Sequence, residues 1–146
     1  MKLSTKARYG IRALLDLTRY SKNDPVPLKD IAQRQQLSLT YLEHLVKPLI
    51  LAGIIKSTRG AKGGITLANP PSQIRLSEIF WLLEGTTSLV DCVDYPENCQ
   101  RSDDCVTRDI WVEIKKAIDD VLDSITLEDL VERQKAKEQY VNMYYI

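Results

Sequence analysis

Between residues 28 and 68 the chain carries two short helical patterns, a brief break, and two β-like runs around a glycine-rich loop. Few folds accommodate that succession. Leu28, Ile31 and Ala32 give residues 28–35 a single apolar face. Gln36-Leu37-Ser38 then leaves room only for a tight turn. Over residues 39–52, Leu42, Leu45, Val46, Leu49 and Ala52 recur at spacings of three and four, again one apolar stripe. Pro48 interrupts it. Lacking an N–H and clashing one turn back, it predicts a bend or a restart there. Gly53 is placed to end the helix. Ile54–Thr58 and Ile65–Ala68 read as short strands, joined by the basic hairpin loop Arg59-Gly60-Ala61-Lys62-Gly63-Gly64. A short helix, a tight turn, a second helix and a β-hairpin make a helix-turn-helix followed by a wing.

The flanks complete an expected α+β, mainly α, architecture. Residues 4–20 predict a helix, with Ala7, Ile11, Leu14, Leu15 and Leu17 in a broad stripe beside Tyr9 and Ala13. Residues 76–84 predict a short helix, capped by Ser77 or its neighbour and ended by Gly85. Residues 86–105 show no helical or strand period. Residues 106–125 predict a long helix with Ile110, Ile114, Ala117, Ile118, Val121, Leu122 and Ile125 on one face. A face this apolar needs a partner, either the chain's own N-terminal helix or a second copy, and a homodimer is expected. Thr126 with Asp129 is a capping box opening a last helix, and residues 140–146 are aromatic-rich. The expected division is a winged helix-turn-helix over residues 1–72, then a cysteine-containing sensory loop and dimerisation helices over residues 73–146.

Charge points the first region at a polyanion. The chain of 146 residues is neutral overall, yet residues 1–63 hold 12 Lys and Arg against 4 Asp and Glu, while residues 64–146 hold 8 against 16. A net +8 beside a net −8 presents one half to double-stranded DNA and keeps the other away. Met1-Lys2-Leu3-Ser4 leads into the first helix with no apolar signal region, and no apolar run approaches the roughly 18 residues of a membrane span. A cytoplasmic protein with no membrane partner is expected. With His44 as the single histidine, on an exposed helix, a Ser-His-Asp or Cys-His catalytic site is hard to build, so an enzyme is not expected.

The second helix of the pair turns Ser38, Thr40, Tyr41, Glu43, His44 and Lys47 outward. Hydroxyls can meet bases or phosphates, and Glu43 can accept from a cytosine amino group. Arg59 and Lys62 on the wing suit a minor groove or the sugar-phosphate backbone. Thr5 and Arg8, at the start of the first helix, join the candidate DNA-binding set. Two recognition helices related by a two-fold axis predict a roughly palindromic operator.

All three cysteines, Cys92, Cys99 and Cys105, fall in the unpatterned segment with C-x6-C-x5-C spacing. Asp91, Asp94, Glu97, Asp103 and Asp104 surround them, which predicts thiol pKa values above the ordinary. A metal would reverse that and hold the sulfurs deprotonated. Three thiolates suit an iron–sulfur cluster or zinc, and three ordinary loop thiols are the alternative.

Several motifs carry a family resemblance. Met1-Lys2-Leu3-Ser4-Thr5-Lys6-Ala7-Arg8-Tyr9-Gly10, Leu28-Lys29-Asp30-Ile31-Ala32, Tyr41-Leu42-Glu43 and the wing Arg59–Gly64 closely resemble the Rrf2 family of bacterial transcription regulators. The resemblance covers essentially the whole chain. It implies a dimeric winged helix, base reading by Glu43 and minor-groove entry by Arg59. It also implies an iron–sulfur cluster on the three cysteines, as in the members that regulate iron–sulfur assembly, with 2Fe-2S preferred to 4Fe-4S. Those members have a histidine three residues beyond the third cysteine, where this chain has Arg108, which stays protonated and cannot ligate. Nitric-oxide-sensing members use an aspartate near the partner's N-terminus, where this chain has Arg8. The fourth ligand is therefore open, with Asp104 and Asp109 the first oxygens to consider. Residues 121–130 and the ending Met143-Tyr144-Tyr145-Ile146 resemble instead the members that regulate cysteine metabolism, which lack these cysteines.

Overall fold

The computed structural model describes residues 2–145. Helix α1 (Thr5–Tyr20) begins at Ser4, whose hydroxyl oxygen accepts the Ala7 N–H at 3.2 Å. Ala7, Ala13, Leu14 and Leu17 bury its inner face. Helix α2 (Leu28–Gln35) ends on Gln36, which takes the left-handed conformation at φ 56° and makes the tight turn. Ser38 caps α3 (Leu39–Leu51) by accepting the Tyr41 N–H at 3.1 Å. The expected restart at Pro48 does not occur, and α3 runs unbroken to Leu51. Pro48 stands in the last turn, and the carbonyl it leaves unpaired belongs to His44, an exposed residue that water can serve.

Strands β1 (Ile55–Thr58) and β2 (Gly64–Leu67) form an antiparallel hairpin with Ile55 opposite Leu67 and Thr58 opposite Gly64. Val26 adds one more rung, exchanging two backbone hydrogen bonds of 2.9 Å with Ile65. Glycine is required at position 64, where a Cβ would lie 2.3 Å from the Val26 carbonyl oxygen. A 3-10 turn at Pro71–Gln73 leads into α4 (Leu76–Glu84). Its cap residue is Arg75, whose N–H is taken by the Glu78 carboxylate, and Ser77 is instead buried in the first turn.

Residues 86–105 depart from the expected loop. They contain a one-turn helix α5 (Asp91–Asp94) and a 3-10 turn at Pro96–Asn98. Both are too short to leave an apolar period in the sequence. Helix α6 (Val106–Ser124) follows, then α7 (Leu127–Tyr144), opened by the expected Thr126–Asp129 capping box. Leu76 N–H to Ile125 C=O and Leu127 N–H to Ile74 C=O, at 2.9 and 3.0 Å, stitch the entry of α4 to the α6–α7 joint. The core reaches from α1, α2 and α3 to Ile74, Leu76, Ile79, Leu83 and Leu127. None of the 19 residues of α6 is buried. No helix among the described residues is long and apolar enough to cross a membrane.

One charged group lies inside this packing. Asp16 is 3% exposed and receives Arg34 through both Nε and a terminal nitrogen, the shortest bond being 2.7 Å. Gln35 donates to the same carboxylate at 2.9 Å, and the Arg34 guanidinium stacks 4.0 Å from the centre of the Tyr20 ring. Removing the carboxylate strands these donors at the end of α2. Asp16→Ala should cost about 2–3 kcal/mol by urea unfolding, less than a fully buried pair because Arg34 keeps solvent contact. A loss under about 0.5 kcal/mol, the ordinary range for a surface substitution, would refute that role.

Candidate nucleic-acid interface and cysteine segment

The start of α3 lies against the start of α1. The Tyr41 hydroxyl donates to Thr5 Oγ1 at 3.2 Å, and its ring meets Tyr9 edge-on with centroids 6.2 Å apart. Two guanidiniums flank Tyr9, with Arg8 5.7 Å and Arg12 5.2 Å from the ring centroid, within cation–π range. Arg12 also donates to the Gln35 carbonyl and side chain at 3.3 and 3.2 Å, steadying the end of α2 before the turn. The motif is thus held by polar contacts as well as by its core.

Thr5, Arg8, Ser38, Thr40, Glu43 and His44 are all exposed, as are Arg59 and Lys62 in the hairpin loop. Tyr41 is half-buried and braces α1 against α3. The Ser38 hydroxyl oxygen is engaged as the cap, leaving its proton for an outside acceptor. The wing is shaped by glycine. Gly60 has φ 111° and its carbonyl takes the Gly63 N–H at 2.9 Å, while a Cβ on Gly63 would come 2.4 Å from the Thr58 carbonyl oxygen.

The cysteine segment is ordered by bonds of its own. Cys92 lies on α5, Cys99 ends the 3-10 turn, and Cys105 is the cap residue of α6; all three are half-buried. The buried Ser102 bonds to the carbonyls of Pro96 and Cys99 at 2.5 and 2.8 Å. Arg108 donates its Nε proton to the Cys92 carbonyl at 2.9 Å and staples α6 to α5. Thr86 donates to Asp94 at 2.6 Å, and that bond is the main reason the Asp94 pKa lies below the usual range.

The expected upward shift of the thiols is reversed at Cys105. Its pKa is lowered, first by the Thr107 hydroxyl 3.2 Å from the sulfur and then by the Arg108 backbone N–H, and the opposing effect of Asp109 is smaller. Short-range hydrogen bonds at a helix start outweigh the acidic surroundings. In kind, three thiols are a suitable donor set for a cluster. As folded they are not assembled: among the described residues no three His, Cys, Asp or Glu side chains converge to hold a metal ion, and Asp104 and Asp109 complete no such group. A cluster would need the segment to rearrange.

Residues 3–133 match the Rrf2 family, described as an iron-dependent transcriptional regulator. The chain belongs to the Rrf2 family of transcription regulators. It is 42% identical to the transcriptional regulator CymR of Bacillus subtilis over the full length of both chains. The solved structure of that protein, described as the global cysteine regulator of B. subtilis, covers 91% of this chain and 98% of its own at TM-score 0.77. T. potens IscR is similar at 41% identity and TM-score 0.75, covering 92% of this chain and 88% of its own. IscR of Photorhabdus laumondii is 38% identical over 92% of this chain and 82% of its own length. The winged-helix fold and long C-terminal helix expected from sequence are those of these relatives, which are named as regulators rather than enzymes.

The Thr107 bond makes a measurable difference. In metal-free protein with Cys92 and Cys99 replaced by Ser, Cys105 alkylation by iodoacetamide should reach half its maximal rate at a lower pH than in the same protein carrying Thr107→Val. A depressed pKa leaves thiolate present at lower pH, and losing the hydroxyl donor shifts the profile upward. Identical profiles would remove Thr107 as the cause.

Proposed function

We propose that the chain binds a roughly palindromic operator as a homodimer in the cytoplasm, reading bases with α3 and gripping the flanking groove with the wing, and that residues 86–105 receive its signal. The observation that carries the first part is the shared exposure of Thr40, Glu43 and His44 on α3, Thr5 and Arg8 on α1, and Arg59 and Lys62 on the wing, within the half of net charge +8. Support for the dimer comes from α6. Val106, Ile110 and Val121 are 75%, 47% and 57% exposed, and Ile110, Ile114, Ala117 and Val121 follow the 4-3-4 spacing of a helix seam. Ile118, Leu122 and Ile125 are half-buried, and the latter two pack on the chain's own core, so the expected seam divides between the two duties. The two chain regions, residues 1–72 and 73–146, correspond in this reading to DNA binding and to sensing with dimerisation.

For the signal, the first reading is iron–sulfur status, with Cys92, Cys99 and Cys105 as the protein ligands of a 2Fe-2S cluster. It is supported by the three thiols within fourteen positions and by the similarity to IscR. The second reading is cysteine metabolism, favoured by the match to CymR over every residue of both chains.

Two experiments test these readings. An operator selected by the wild type from random-sequence duplexes, and a scrambled duplex, serve as fluorescence-anisotropy probes. Arg59→Ala should lose about 1–3 kcal/mol of operator affinity, and Glu43→Ala should relax base preference more than it weakens binding to the scrambled duplex. Equal losses on both duplexes for Glu43→Ala would exclude it from base readout. Anaerobic reconstitution followed by iron and sulfide analysis separates the two signals. The cluster reading expects wild type to take up iron well beyond a triple Cys→Ser variant. Equal uptake would leave the cysteine-metabolism reading standing.

A further inference from the structure

We propose that Glu84 is a positioning residue that ties the cysteine segment to the recognition helix, through the cap of α1. This rests on the reading of residues 86–105 as the sensory element. Glu84 is the last residue of α4; Gly85, at φ 97°, turns the chain out of the helix, and the segment begins at once with Thr86 bonded to Asp94 at 2.6 Å. The Glu84 carboxylate reaches 80 residues back along the chain to take the Ser4 backbone N–H at 3.2 Å, and it also accepts the Ser4 hydroxyl proton.

That proton decides how α1 is capped. A serine hydroxyl has one proton and two lone pairs. With the proton given to Glu84, a lone pair faces the helix and takes the Ala7 N–H at 3.2 Å. The bond to a carboxylate is charge-assisted, and the negative charge lies at the positive end of a 16-residue helix. The next residue, Thr5, accepts the Tyr41 hydroxyl at 3.2 Å, and Tyr41 stands in the first turn of α3, two residues before Glu43. Leu83, adjacent to Glu84, packs where Gly10 has no side chain: a Cβ there would lie 2.3 Å from Leu83 Cδ1. A shift at the end of α4 therefore reaches the α1 cap through the two Glu84 hydrogen bonds, beside the Leu83–Gly10 contact. The route from segment to reading face is therefore Gly85, Glu84, Ser4, Thr5, Tyr41.

Glutamine at position 84 keeps an oxygen that can accept both Ser4 donors; alanine keeps none. Wild type, Glu84→Gln, Glu84→Ala and Tyr41→Phe are compared on the selected operator and the scrambled duplex. Each is measured before and after iodoacetamide modification of the cysteines, with thermal unfolding recorded alongside. Modification should change wild-type operator affinity at least fivefold. Glu84→Gln should keep most of that response. Glu84→Ala and Tyr41→Phe should reduce it to under twofold, while scrambled-duplex binding by Glu84→Ala stays within twofold of wild type. A full response in both Glu84→Ala and Tyr41→Phe would overturn the proposal, as would equal losses on both duplexes without modification, which mark a contact serving stability alone. If Glu84→Ala does not fold, Tyr41→Phe, which removes only a hydroxyl, decides the matter. An unmodified affinity in wild type after alkylation contradicts the sensory reading itself, an outcome distinct from a variant that still responds.

Discussion

The approach of α1 to α4 at Gly10 governs how the two chemically different halves of this chain meet. A methyl group there would meet the end of the Leu83 side chain, which packs directly on the α1 backbone. At the same contact the Glu84 carboxylate reaches the Ser4 cap. Beneath it, Ala7 is fully buried and Leu14 and Leu17 fill the same core as Ile31, Leu42, Leu49 and Ile79. Because α1 packs on α2, α3, α4 and α7, its placement fixes the helix-turn-helix on one side and the C-terminal helices on the other. The polar tie between Arg19 of α1 and Glu138 of α7, at 2.8 Å, adds a link at the far end, though an ion pair this exposed contributes little to stability.

Function follows from the separation of charge along this frame. The basic half carries the recognition helix and the wing, and the acidic half carries the cysteines and the long helix. Phosphate contacts position such a protein, while base contacts specify its site. The polar outer face of α3 suits the second task and the lysines and arginines around it suit the first. The long helix α6, with no buried residue and an apolar seam, gives the acidic half a reason to pair.

Much of this was legible in the sequence because it depends on local chemistry. Apolar period marked α1, α2, α3 and α6, Gly85 marked the end of α4, glycine marked the wing, and Thr126 with Asp129 marked the start of α7. Of the bend or restart that Pro48 predicts, the restart does not occur, because the proline falls in the last turn and costs only one hydrogen bond there. Local rules missed α5 and its neighbouring 3-10 turn, which span too few residues to show a period. Counting carboxylates gave the wrong direction for Cys105, because one hydroxyl at 3.2 Å outweighs more distant acids. The Asp16–Arg34 pair and the Ser4–Glu84 contact had no sequence signal, since each joins residues brought together only by the fold. Tyr41 belongs to the candidate DNA-binding set by its place on α3, and only the fold shows that its hydroxyl proton goes to Thr5.

The central claim is that two copies of this chain read one operator through two symmetrically placed recognition helices. Hydroxyl-radical footprinting and guanine-methylation interference on the selected operator measure that arrangement directly. Two equivalent patches of major-groove contact are expected on one face of the duplex, centred about 34–36 Å apart and related by a two-fold axis. A single patch, with no symmetry-related counterpart at any protein concentration, would contradict it.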